Sequence, residues 1–78
     1  HILIIPKGQF KDIFDFSINA TLEEKKAIYD GFAKVIKIFD LELDGCRIIS
    51  NFGPHGGQEV PHLHFHLLGG KDIGSMIS

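Results

Sequence analysis

Five consecutive residues constrain this chain more than any others: His62-Leu63-His64-Phe65-His66, running on into Leu67-Leu68. Alternation of polar and apolar side chains is the pattern of a strand with one face in a core, since successive side chains of an extended segment point to opposite sides. It puts Leu63, Phe65 and Leu67 on the core side and gathers His62, His64 and His66 on the other. Alternate side chains on a strand stand about 6.6–6.8 Å apart, so the central imidazole has one histidine on each side without crowding. Imidazole titrates at about pH 6.5, so its neutral form can attack phosphorus or carry a proton at physiological pH. Two plainer readings stand beside this one: three polar residues on a solvated sheet face, and a transition-metal site, histidine being a common ligand there. Geometry weakens the metal reading, because the outer two histidines of an extended segment lie about 13 Å apart at the backbone.

The rest of the chain supplies a frame for that strand. Residues 45–52 read as a strand, 53–58 as a Gly- and Pro-rich connection and 60–68 as the next strand, so the two should pair as an antiparallel hairpin. The opening run Ile2-Leu3-Ile4-Ile5 predicts a strand over residues 2–6 with both faces buried, ended by Pro6, which has no amide to donate. Residues 8–20 mix Gly, Asp, Ser and Asn with Phe10, Ile13, Phe14 and Phe16, and read as loop with one helical turn around Asp12 to Asp15. Thr21-Leu22-Glu23-Glu24 matches a capping box. From there Ile28, Phe32, Val35, Ile36 and Phe39 recur at helical period, predicting a helix to about residue 39 or 40. Gly31 within it costs about 1 kcal/mol against Ala, offset if the helix lies close to a sheet. Gly69-Gly70 closes the last strand, and 71–78 form a tail with little pattern. The expected class is α+β: an antiparallel sheet with one long helix packed on it, in a single domain over 1–78.

Composition narrows the partners. Eight Lys and Arg against ten Asp and Glu give a formal charge of −2, which argues against long nucleic acids, whose binding needs a basic face. A small phosphorylated ligand stays allowed. The longest apolar runs fall far short of the roughly 20 residues that span a bilayer, and no signal-peptide pattern is visible. The single Cys46 has no internal disulfide partner; the expectation is a reduced, cytoplasmic protein in which Cys46 is a small core residue. The chain opens at His1 with no Met and already inside a strand pattern, so further N-terminal sequence is expected before it.

Upstream of the histidines, Asn51 and Gly56-Gly57-Gln58 could set backbone amides and a carboxamide beside the imidazoles, since glycines let a phosphate approach the main chain; an ordinary hairpin loop needing positive φ explains the same residues. The complete run His62 to Leu68, with Gly69-Gly70-Lys71 after it, Gly56-Gly57-Gln58-Glu59-Val60 before it and the opening His1-Ile2-Leu3-Ile4-Ile5-Pro6-Lys7, resembles the histidine-triad (HIT) family, and within it the Hint branch of purine nucleoside phosphoramidases. The resemblance covers nearly the whole chain. It implies a HIT-like fold in which His64 attacks the α-phosphorus, forms a nucleotidyl-histidine and yields a nucleoside monophosphate on hydrolysis. His62 would orient and polarise His64, and His66 would hold phosphate oxygens or assist the leaving group. His1 would back the triad from the neighbouring strand. Asn51, Gly57 and Gln58 would line the phosphate pocket together with His64 and His66. Glu59 stands where some members place a hydroxyl residue near the leaving group. The resemblance further implies a purine nucleotide or nucleoside phosphoramidate as ligand, no metal or other cofactor, and a homodimer. It also implies that this is the C-terminal portion of the domain, without the N-terminal strands and helix that supply much of the nucleoside pocket. A catalytically weak nucleotide-binding regulatory protein and a metal-binding protein are the alternatives.

Overall fold

A computed structural model describes residues 1–74. Its elements are β1 (Ile2–Ile4), α1 (Ile13–Asn19), α2 (Leu22–Ile38), β2 (Cys46–Ile49) and β3 (Phe65–Gly69). The class is α+β as expected, but with a second helix.

The long helix begins where the sequence puts its cap. The Thr21 hydroxyl accepts from the Glu24 amide at 3.0 Å and the Glu24 carboxylate accepts from the Thr21 amide at 2.9 Å, two otherwise orphaned donors whose capping contributes about 1 kcal/mol. Of the predicted stripe, Ile28 and Phe32 are buried and Val35 and Ile36 half-buried, while Phe39, at the C-cap, is 56% exposed. Gly31 does not mark a tight approach to the sheet: a Cβ there would meet Ile4 at an ordinary 3.8 Å.

The segment 13–19, expected as loop with one helical turn around Asp12 to Asp15, is the two-turn helix α1. Asp12 caps it by accepting from the Asp15 amide at 2.8 Å. The backbone amide of Lys11 and the side chain of Asn19 donate to Asp15 and hold its carboxyl below the ordinary aspartate value. Lys25 ties the helix to α2 through the Ser17 carbonyl at 2.8 Å. What overrides the weak helix propensity of Asp, Ser and Asn is burial of Phe16 in the core, edge-on to Phe10.

The three strands form one antiparallel sheet in the order β1-β3-β2. The histidine-bearing strand is therefore central, with Leu3 on one side of His66 and Ile49 on the other. Strands are shorter than the sequence pattern suggests. β1 stops at Ile4 before Pro6, and it is not buried on both faces, since Leu3 is 53% exposed. β2 covers 46–49 rather than 45–52, and β3 covers 65–69 rather than 60–68, with Gly69 still paired to Cys46. Residues 60–64 lose their ladder because both flanking strands have already ended. Cys46 is half-buried rather than a core residue. Phe16, Ile28, Phe32, Leu63 and Phe65 form the core between the helices and one face of the sheet, with Phe32 and Phe65 packed edge-on. The predicted tail lies partly outside the described residues, which end at 74.

Candidate active site

His62 and His64 precede β3 and only His66 lies within it, yet burial alternates as though the strand ran on: Leu63, Phe65 and Leu67 are buried and the three histidines half-buried. The apolar residues, 1% exposed at Leu63 and 2% at Leu67, pin the segment to the core and leave the imidazoles on the opposite face. In place of a ladder, the Leu63 amide donates to the Phe10 carbonyl at 2.8 Å. The His62 amide donates to the Val60 carbonyl at 2.8 Å, a three-residue turn centred on Pro61, whose ring fixes φ.

The ring of His64 is held by the main chain. Its Nδ1 lies 2.9 Å from the carbonyl oxygen of His62. A carbonyl only accepts, so Nδ1 carries a proton, which in the neutral ring leaves the lone pair on Nε2. That is the tautomer a nitrogen nucleophile requires. The ring of His64 is thus tied to the backbone oxygen of His62 rather than to its imidazole. His66 stands edge-on to His64 with ring centroids 4.9 Å apart, closer than the strand repeat alone would set them. On its far side Nδ1 of His66 is 2.8 Å from Nε2 of His1. In that bond one ring nitrogen donates and the other accepts. The rings of His1, His64 and His66 therefore form one cluster, to which His62 is joined through its backbone carbonyl; His55 sits apart in the exposed 53–57 turn.

The other residues singled out in the sequence lie along the loop from Asn51 to Glu59. The β2–β3 ladder ends with Ile49 opposite His66, and Asn51 follows it half-buried, outside the sheet. Gly56 packs so tightly that a Cβ would fall 2.2 Å from the Phe52 carbonyl oxygen, and Gly57 has φ +74, so both positions demand glycine. The Gly57 amide donates to the Pro54 carbonyl at 3.2 Å. Gln58 is half-buried and its carboxamide faces backbone groups of Gly53, Lys11 and Val60. Glu59 is exposed, at the edge of a depression of about 340 Å³ that Lys11, Asp12 and Pro61 also line. Sequence reasoning did not find the part played by Phe10 and Lys11, whose carbonyls anchor the loop; the Asp12-x-x-Asp15 cap pattern beside them was the available signal.

Residues 1–73 match the HIT domain family, and the chain belongs to that family. It is 42% identical over 78 residues to a 13.2 kDa HIT-like protein of Azospirillum brasilense, covering all of this chain and 64% of that one. It is 41% identical over 81 residues to the purine nucleoside phosphoramidase of Escherichia coli, covering 65% of it. Among solved structures, a histidine triad protein from Clostridium difficile superposes with a TM-score of 0.81 at 33% identity, over 94% of this chain and 63% of that one. A HIT family hydrolase from Legionella pneumophila gives a TM-score of 0.80 at 37% identity, over 92% and 63%. The chain thus spans a little under two thirds of the length of these relatives.

Proposed function

We propose that this domain hydrolyses purine nucleoside 5′-phosphoramidates through a nucleotidyl-histidine at His64. The observation that carries the reading is the fixed His64 tautomer, with Nδ1–H bound to the His62 carbonyl and Nε2 free. In the proposed reaction the Nε2 lone pair attacks the α-phosphorus and the bond from phosphorus to the substrate nitrogen breaks. An amine leaves poorly as an anion, so it takes a proton as it departs. His66, next to His64 and linked to His1, is the group proposed to manage that proton and to hold phosphate oxygens. Water then attacks the phosphorus, releases the nucleoside monophosphate and returns His64 to its starting state. Asn51 and the Gly57 region are proposed to line the phosphate side, and Glu59 the leaving-group side. The likeness to the Escherichia coli phosphoramidase supports the choice of substrate.

A two-fold homodimer belongs to the same proposal, for which the exposed Leu22, Tyr29 and Phe39 offer apolar surface. So does a cytoplasmic setting, which rests on the single Cys46. The test is release of AMP from adenosine 5′-phosphoramidate by the intact protein in excess chelator. Metal-independent turnover is expected. Tight AMP binding with no turnover would favour a binding or regulatory role, and turnover abolished by chelator and restored by zinc would favour a metal site.

A further inference from the structure

His64, which carries the proposed chemistry, and His62, whose carbonyl holds its ring, stand outside the sheet, so something other than a strand ladder must hold them in place. The structure assigns that task to Gln58: we infer that it is a positioning residue, bracing the loop that sets His62 and His64, rather than a ligand of the phosphate. The inference rests on the proposed role of His64.

The hydrogen-bond inventory of the side chain leads there. Oε1 of Gln58 accepts from the Gly53 amide at 3.2 Å. Nε2 donates to the Lys11 carbonyl at 2.7 Å and to the Val60 carbonyl at 3.1 Å. The partners fix the orientation of the carboxamide, because an amide N–H only donates and a carbonyl only accepts. A carboxamide has two N–H groups, and both are taken. Gln58 therefore cannot donate to a phosphate oxygen without giving up one of these bonds, and its remaining lone pair would repel an anion. The backbone of Gln58 closes the loop as well, its amide donating to the Gly53 carbonyl at 3.0 Å.

The bonds lead directly to the imidazole. The Val60 carbonyl that accepts from Gln58 also accepts from the His62 amide, and the His62 carbonyl accepts from His64 Nδ1. Lys11, the other acceptor, follows Phe10, whose carbonyl takes the Leu63 amide. One side chain thus joins three backbone segments, 10–11, 53 and 60, that meet around residues 62–64. Shifting this brace moves the carbonyl that fixes the His64 tautomer, and a displacement of about 1 Å at a reacting group costs on the order of a hundredfold in rate.

The test compares Gln58→Glu, of the same shape but with oxygen facing the two carbonyls, and Gln58→Met, of similar length without polar atoms, in the intact protein. The first readout is the ¹⁵N spectrum of the ligand-free histidine rings. The unsubstituted protein should show His64 as a single Nδ1–H tautomer. Both variants should shift its two ring nitrogens toward averaged values, while cooperative thermal unfolding shows that the fold persists. The second readout is kinetic: kcat for the phosphoramidate should fall roughly tenfold or more with KM within about threefold. Unchanged His64 nitrogens in a folded variant would overturn the inference, as would a rise in KM at constant kcat, the mark of a lost ligand. If Gln58→Glu does not fold, Gln58→Met carries the test. Absence of turnover in the unsubstituted protein would count against the proposed reaction only, because the ring nitrogens report the brace independently.

Discussion

Leu63→Ala should lower the unfolding free energy by about 3 kcal/mol, the usual cost of emptying a buried leucine site. For a domain of this size that is a fall in Tm of roughly 15 °C. Leu63 is 1% exposed and packs in one cluster with Phe16, Ile28, Phe32 and Phe65. A core this small supplies only about 3–5 kcal/mol, so the variant should be close to unfolding at room temperature. Leu43→Ala is the control: its side chain is 94% exposed and its loss should cost no more than about 0.5 kcal/mol. Thermal unfolding followed by circular dichroism reads both. Equal melting temperatures for the two variants would mean that Leu63 is not the core side of the histidine segment. Because Leu63 lies between His62 and His64, its loss should also depress activity at temperatures where the variant is still folded.

The second large effect is on chemistry. His64→Ala should reduce AMP release by at least about a thousandfold, since it removes the nucleophile and leaves only binding. AMP affinity should stay within about tenfold, or 1.4 kcal/mol. The structure adds a finer expectation for its neighbour. The group that orients His64 is the backbone oxygen of His62, which survives side-chain removal, so His62→Ala should lose much less rate than His64→Ala. Steady-state kinetics with calorimetric AMP binding separates these cases. Equal losses for His62→Ala and His64→Ala would show that the His62 ring, and not only its carbonyl, works in the reaction.

What was legible in the sequence follows from what is encoded locally. The cap of α2 is written in Thr21 and Glu24, and the core side of the last strand in Leu63, Phe65 and Leu67, because both depend on near neighbours and on side-chain period. Of α1 only a turn around Asp12 to Asp15 was readable, since the full helix depends on burying Phe16 against residues far along the chain, against the weak helix propensity of Asp15, Ser17 and Asn19. Strand lengths were overestimated for a related reason: alternation persists through His62 and Leu63, but a ladder needs partners, and β1 and β2 stop too early to provide them. At the site, the grouping of His62, His64 and His66 was readable from spacing, and His1 came only from the family resemblance. The tautomer of His64 and the brace at Gln58 could not be read, because both arise from an irregular backbone path around Pro61 that brings residues 10, 11, 53 and 60 together.

The central claim is that His64 becomes covalently attached to the nucleotide, and the most direct measurement is to look for that bond. The intact protein is mixed with adenosine 5′-phosphoramidate, quenched within a turnover under conditions that preserve phosphohistidine, digested and analysed by mass spectrometry. The account predicts an adenylyl group on the peptide carrying His62 to His66, fragmenting to His64, formed and consumed at the rate of turnover and absent from His64→Ala. Turnover with no such adduct at any time, or an adduct on His62 or His66 that persists in His64→Ala, would contradict it.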